Sequence, residues 1–368
     1  MLLQTNYFEK LRKLPFVLII LICTICFIGF IVLYSASDNN LQPWGEKQII
    51  NFCLFLPVVI ASALIDIKYI FRFSYIFYFS VIILLIGVEL FGSVSMGAKR
   101  WIDLGVIRLQ PSEPTKLAIV LMLAKYFHQL DIEDFTKFHK ILLPIIGVIF
   151  PVLLIIKEPD LGTGIITVII SSIIFFAAGF RIRNFIIIGV IVMSCVPIIW
   201  QVLHDYQRKR VIIFLDPEKD PLGAGYNIIQ SKIAIGSGGA FGKGLTKGSQ
   251  SHLEFLPEHQ TDFIFATFAE EFGFVGCAML LLLYAAIITI SLMIAITCRA
   301  MFSKLMVIGI TSILFSHVFI NIAMVMGLLP VVGVPLPFVS YGGTMMVSML
   351  IGFGLVMNAQ VHQHSNVS

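Results

Sequence analysis

Asp262 closes a segment crowded with groups that can move protons or hold sugars, Leu253-Glu-Phe-Leu-Pro-Glu-His-Gln-Thr-Asp262, and a long apolar run starts directly after it. A carboxylate at such a boundary has two readings. Thr261 or Asp262 would serve as a helix N-cap, accepting a backbone N–H. Alternatively Asp262 is a general base: desolvation at the wall of a membrane cavity raises a carboxylate pKa, while a helix terminus pulls it down. Glu258, in the same segment, stands where it would contact the same ligand. Glu270 and Glu271 lie inside the apolar run, where a carboxylate is costly and therefore a functional candidate. Helix geometry puts Glu270 about 80° around and about 12 Å along from Asp262, so a structural partner role inside the bundle is favoured over direct catalysis.

Other chemistry-bearing residues open or interrupt further apolar runs. Glu113 and Lys116, spaced i, i+3, share a helix face; they make either a plain ion pair or a pair facing a site, with Lys116 offered to a phosphate. Arg100-Trp101 sets a cation beside an aromatic platform, suited to a sugar or pyrophosphate headgroup, or equally to an interfacial belt. Asp160, in Lys157-Glu-Pro-Asp-Leu-Gly-Thr-Gly164, is placed to cap the run that follows. His317 and Asn321, spaced i, i+4, read as interhelical hydrogen-bond glue. Ser340 lies in Phe338-Val-Ser-Tyr-Gly-Gly343, after a turn stiffened by Pro330, Pro335 and Pro337. The glycine-rich stretch Gly236-Ser-Gly-Gly-Ala-Phe-Gly-Lys-Gly244 departs from a Walker loop at both diagnostic places. It is a flexible turn, or a loop whose amides and Lys243 approach a lipid-borne phosphate.

The elements that must carry these residues belong to a membrane. Of 368 residues, 58% are hydrophobic and only 12% charged, against about 25% charged in a soluble domain. At about 20 apolar residues per crossing, ten spans are expected: 14–35, 48–65, 69–91, 114–130, 141–157, 161–179, 184–202, 263–296, 305–328 and 338–359. The fold class is all-α, one polytopic domain over 1–368. The six cysteines lie in or beside apolar runs and suggest no disulfide framework. Basic residues recur on one side, at Lys10, Arg12, Lys13, then Lys68, Arg72, then Lys137, Lys140, then Arg181, Arg183, then Arg299, Lys304. That recurrence puts both termini in the cytoplasm. The long connection 203–262, between the seventh and eighth spans, then faces outward, with a short amphipathic or re-entrant helix expected over Tyr226–Ile235. The outward face is basic, with Arg208, Lys209, Arg210, Lys232 and Lys243 among its cations. Such a face suits ordinary solvated loops, an anionic lipid group or a partner's acidic patch; nucleic acid does not fit there.

In this order, Lys99-Arg-Trp-Ile-Asp, Gln110-Pro-Ser-Glu, Pro159-Asp-Leu-Gly-Thr, Asp216-Pro-Glu-Lys-Asp-Pro-Leu-Gly-Ala-Gly-Tyr, Gln230-Ser-Lys-Ile-Ala-Ile-Gly-Ser-Gly-Gly, Leu253-Glu-Phe-Leu-Pro-Glu, Thr261-Asp-Phe-Ile-Phe and Leu329-Pro-Val-Val-Gly-Val-Pro-Leu-Pro-Phe-Val-Ser-Tyr-Gly-Gly make the chain resemble the SEDS family of shape, elongation, division and sporulation proteins, on its elongation side. The resemblance runs through nearly the whole chain. It implies an inner-membrane glycosyltransferase that polymerises lipid II, with ten helices and a large outward loop. The family's essential Asp matches Asp262, its Glu–Lys pair matches Glu113 and Lys116, and its Arg before Trp matches Arg100. One departure concerns His259: the family reads His-Thr-Asp, whereas Gln260 precedes Thr261 here. The resemblance further implies an inverting transfer, with Arg100, Lys116 and Arg210 as candidate partners of the leaving pyrophosphate. A divalent cation such as Mg2+ could share that task, with no other cofactor expected. The implied partners are lipid II, a class B penicillin-binding protein transpeptidase and membrane proteins of the elongation complex. Two rival functions, a flippase for the same lipid and a non-catalytic scaffold, share the topology; the flippase would need alternating access, and no inverted repeat is visible.

Overall fold

The computed structural model describes residues 7–95, 98–103, 108–130, 138–202, 205–220, 223–248 and 260–367. A short surface helix, α1 (Tyr7–Arg12), leads into α2 (Phe16–Ala36), α3 (Trp44–Leu64) and α4 (Ile67–Phe91). After a small sheet come α5 (Ser112–His128), α6 (Phe138–Lys157), α7 (Leu161–Ala177) and α8 (Ile182–Val202). The long connection contributes α9 (Asp205–Leu215), a 3-10 turn at Pro217–Lys219, and α10 (Ala224–Gly238). The chain ends with α11 (Ile264–Thr297), α12 (Met301–Val325) and α13 (Gly343–Val361). A long helix therefore stands at each of the ten expected spans. Seven of the described helices are long and apolar enough to cross a membrane. Of the other three, α5 and α7 are shorter, at 17 residues each, and the apolar part of α8 is the shorter stretch Ile182–Pro197.

Burial is layered. The central helices α5, α12 and α13 bury most of their surface in protein. The outer ones turn Ile, Leu and Phe side chains outward along their length, for example Ile76, Phe79 and Ile83 of α4 and Ile186, Ile187 and Val190 of α8. In water such a rim would be unstable; in lipid it is the matched surface. Burial on all sides explains how α5 holds Glu113, Lys116 and Lys125: its neighbours are helices, and these supply partners that lipid cannot.

Two features depart from the sequence reading. Residues 93–109 hold a three-stranded antiparallel sheet, β1 (Ser93–Ser95), β2 (Ala98–Asp103) and β3 (Arg108–Leu109). β1 and β2 pair Ser93 with Trp101 and Val94 with Lys99, across an irregularity between Ser93 and Val94; β2 and β3 pair Asp103 with Arg108. Secondly, α11 is two helical pieces joined at Gly273, whose φ of 67° and ψ of −166° break the helix. The glycine-rich turn after α10 docks into that break. Gly239 and Ala240 carbonyls accept from the amides of Phe274 and Val275, and the amides of Lys243 and Gly244 donate to Glu270 and Glu271 carbonyls. A Cβ on Gly242 or Gly273 would collide with the facing backbone, and both adopt positive φ. The amides of Lys243 and Gly244 are thus held by α11 rather than turned toward a phosphate.

Candidate active site

Asp262 lies just ahead of α11, in the turn 260–263, with Phe263 in the N-cap position and Asp262 one residue outside the helix. The cap reading of Thr261 and Asp262 is therefore replaced, because the helix starts one residue later than that reading needs. What fixes Asp262 is its backbone. Asn321 on α12 donates through one amide nitrogen to the Asp262 carbonyl at 2.8 Å and to the Val334 carbonyl at 2.6 Å. Ser340 donates to the Thr261 carbonyl at 2.6 Å and accepts from the Leu336 amide at 2.7 Å. The Tyr341 amide donates to the Gln260 carbonyl at 2.9 Å. Gln48 on α3 donates to the Ser340 carbonyl at 2.9 Å. The residue as a whole is half-buried, and a Cβ on Gly333 would stand 3.4 Å from its Oδ2.

The loop 329–342 is thus the hub. His317, one turn before Asn321 on α12, sets Nδ1 3.4 Å from the Pro335 carbonyl and Nε2 2.6 Å from Lys116 Nζ. Lys116 donates to Glu113 at 2.8 Å, and all three side chains are buried. The tautomer that satisfies both contacts donates from Nδ1 to Pro335 and accepts at Nε2 from the ammonium. Glu113 and Lys116 are therefore joined to the loop at Pro335, next to the Val334 held by Asn321. The pair lies in the protein interior, deeper than an interfacial ion pair.

A second cluster meets the same loop. Asp160 caps α7, accepting from the Thr163 amide at 3.3 Å and from Gln110 Nε2 at 3.2 Å. Gly162 on the first turn of α7 packs against the Val332 carbonyl so closely that a Cβ would come within 2.6 Å of it. Arg100 on β2 donates to the Glu158 carbonyl at 3.1 Å and to the Pro159 carbonyl. Trp101 is half-buried beside it in the strand. Thr344 at the start of α13 accepts from the Gln110 amide at 3.2 Å and donates to the Arg108 carbonyl at 3.1 Å, tying sheet to hub. The Glu158 carboxyl is buried, and neither of its oxygens has a hydrogen-bond partner among the described residues. Burial first and then the Asp160 charge push its pKa up to about 8, against the pull of Arg100.

The remaining sequence candidates fall elsewhere. Glu270, fully buried, pairs with Lys243 at 2.5 Å, which gives Lys243 a structural duty on α11. Glu271 accepts from Ser35 of α2 and from the Thr246 amide at 3.1 Å. Both carboxylates thus brace the helix break, in keeping with the structural role expected of Glu270. Arg210 lies on α9, which packs on the 3-10 turn and α10. Glu258 and His259 lie outside the described residues. Sequence reasoning missed Gln48, Ser35, Thr344 and Glu158. Gln48 and Glu158 carried a signal, each being a polar side chain in or beside an apolar run.

Known proteins carry the same architecture. The FtsW, RodA and SpoVE family profile, described as cell cycle protein, matches residues 16–365. The chain is 44% identical over 361 residues to the peptidoglycan glycosyltransferase MrdB of Escherichia coli K12, covering 98% of this chain and 96% of that one. It is 36% identical over 368 residues to MrdB of Helicobacter pylori, covering 97% and 92%. Among solved structures it is similar, with a TM-score of 0.83 and 30% identity over 96% of this chain and 99% of the other, to a chain from a study of structural coordination of polymerization and crosslinking by a peptidoglycan synthase complex. The rod shape determining protein RodA of Thermus thermophilus matches with a TM-score of 0.73 and 25% identity, over 96% and 98%.

Proposed function

This chain belongs to the FtsW/RodA/SpoVE family of cell cycle proteins and is a membrane-embedded peptidoglycan glycosyltransferase; on that premise we propose that Asp262 is the general base of glycan polymerisation. The substrates are two polyprenyl-linked disaccharide-peptides, lipid II. Asp262 takes the proton of the acceptor sugar hydroxyl. The oxygen attacks the anomeric carbon of the donor, whose bond to the pyrophosphate oxygen breaks. Polyprenyl pyrophosphate leaves with the electron pair, and the configuration inverts.

The carrying observation is the way Asp262 is held. Its main chain is fixed by Asn321 and its neighbours' by Ser340 and Tyr341, while the residue as a whole is half-buried. Such preorganisation is what a base needs to meet a hydroxyl without reorganising. Lys116 joins the hub from α5 through His317, and Arg100 stands on β2 against the Glu158 and Pro159 carbonyls, in the cluster that meets the hub at Gly162; these two would supply the positive field that a leaving pyrophosphate requires, with Arg210, on α9 of the outward loop, as a third candidate. Among the described residues no three His, Cys, Asp or Glu side chains converge on one point; a divalent cation such as Mg2+, held through the substrate's own phosphates and one or two carboxylates, would share the task without such a cluster. The chain sits in the plasma membrane with both termini cytoplasmic and the hub outward. A class B penicillin-binding protein is the partner that would crosslink its product, in line with the synthase complex of its structural neighbour.

The deciding experiment reconstitutes purified protein with fluorescent lipid II and separates polymer formation from translocation across the bilayer. Asp262→Asn should abolish polymer while leaving the melting temperature unchanged. Normal polymer from that variant would remove Asp262 from the chemistry, and translocation without polymer in the wild type would favour a flippase.

A further inference from the structure

At the end of the bundle away from Asp262, the first turn of α4 and the last turn of α5 line an open pocket of about 470 Å³. The distance follows from connectivity: α5 starts beside the hub at Ser112 and runs 17 residues, about 25 Å, to reach the pocket. Among the described residues three cations line it, Lys68, Arg72 and Lys125, against one carboxylate, Asp66. Asp66 is already engaged as the α4 cap, accepting from the Lys68 amide at 3.0 Å. Lys125 is the unusual member. It is buried, yet no carboxylate among the described residues pairs with it. Its ammonium lies 4.4 Å from the Tyr75 ring centre and 4.9 Å from that of Phe71, and donates to the Arg72 carbonyl at 3.0 Å. Ring faces and one carbonyl hold a cation in place without neutralising it.

We infer that this pocket binds the phosphate of an anionic phospholipid in the leaflet opposite the active site. Basic pockets between helices on the cytoplasmic side favour such headgroups, and the volume is that of a small-ligand site. The choice of a lipid over a free anion rests on what adjoins the pocket. The lipid-facing flank of α4 continues from it through Tyr69, Phe73, Ile76 and Ile83, all exposed. That flank gives acyl chains an apolar track starting at the phosphate, which an inorganic ion would not use.

The test is native mass spectrometry of the full-length protein released from detergent after incubation with dioleoyl phosphatidylglycerol, with dioleoyl phosphatidylcholine as control. Wild type should retain phosphatidylglycerol in preference to phosphatidylcholine. Lys68→Gln with Arg72→Gln, both exposed and therefore compatible with folding, should weaken retention about 30-fold. Lys125→Met keeps the stem against the rings and should weaken it as well; if that variant fails to fold, the surface pair still decides. Equal retention by wild type and the surface pair would overturn the site. Displacement of the lipid by millimolar inorganic phosphate would overturn the lipid assignment and leave a free-anion site.

Discussion

Asn321→Leu tests the reasoning about the active site most directly. The substitution keeps the branching and heavy-atom count of a buried side chain on α12 but deletes its amide nitrogen, the donor to both Asp262 and Val334 carbonyls. A net hydrogen bond contributes about 1 kcal/mol in a soluble protein and about 0.6 kcal/mol in the one membrane protein surveyed by double-mutant cycles. Two bonds therefore hold the proposed base in place by about 1–2 kcal/mol. At about 1.36 kcal/mol per tenfold change in rate, the turnover of lipid-linked substrate should fall about 5–30-fold if that whole energy serves positioning. The assay is polymer formation from fluorescent lipid II, resolved into kcat and KM. The loss should fall in kcat, since Asn321 reaches the reaction through Asp262. Thr311→Val on the same helix is the control: its hydroxyl bonds its own helix at Val307, so it alters α12 without touching the hub. If Asn321→Leu polymerises at the wild-type rate, Asp262 is not positioned through this bond. If Thr311→Val loses as much, the effect belongs to the helix and not to the carbonyl of Asp262.

Three further outcomes follow from other parts of the molecule. The proton of Glu158 is retained up to a pH of about 8 in the folded chain, against an ordinary value of 4.5. Between those values the folded state holds one proton more than the unfolded, so stability falls as pH rises and levels off above. Glu158→Gln should remove that slope, matching wild type at about pH 5 and melting higher at about pH 9; parallel melting curves would exclude Glu158 as the group. Lys243→Met leaves Glu270 buried beside an apolar side chain and should cost about 3 kcal/mol in chemical denaturation. Adding Glu270→Gln should restore most of that stability together with activity, whereas a substrate role for Lys243 would leave the double variant inactive. Ser340→Ala strips the Thr261 carbonyl and Leu336 amide of a shared partner and should lower kcat about tenfold through about 1–2 kcal/mol; Ser340→Thr, which keeps the hydroxyl, should retain more activity than Ala.

The helices and the position of the candidate base were legible in the sequence because both are written locally. A run of apolar residues long enough to cross a bilayer leaves the backbone few alternatives to a helix. Asp262 announces itself by standing at the mouth of one. The Asp160 cap was equally legible, since its bond to Thr163 lies within one turn. The sheet at 93–109 was not, because its strands are short and carry no clean alternation. Nor was the support of the base. Gln48 and Ser340 are 292 residues apart and Ser35 and Glu271 are 236 apart, and no local pattern tells a polar side chain in an apolar run which partner it will meet. The break of α11 was half-legible: the run was plainly overlong, but the docking of a glycine turn into it depends on two backbones meeting, which spacing alone does not encode.

The hub loop also sets an order on the life of the molecule. Every side chain that fixes Asp262 from beyond α11 is translated after it: Asn321 follows by 59 residues, and Ser340 follows Thr261 by 79. A nascent chain that has threaded α2 to α8 into the bilayer and reached residue 262 thus has its candidate base without the scaffold that aims it. The last two helices arm the enzyme, so a ribosome-bound or truncated chain ending before Ser340 should be inserted but idle, and glycan synthesis should begin no earlier than the completed protein.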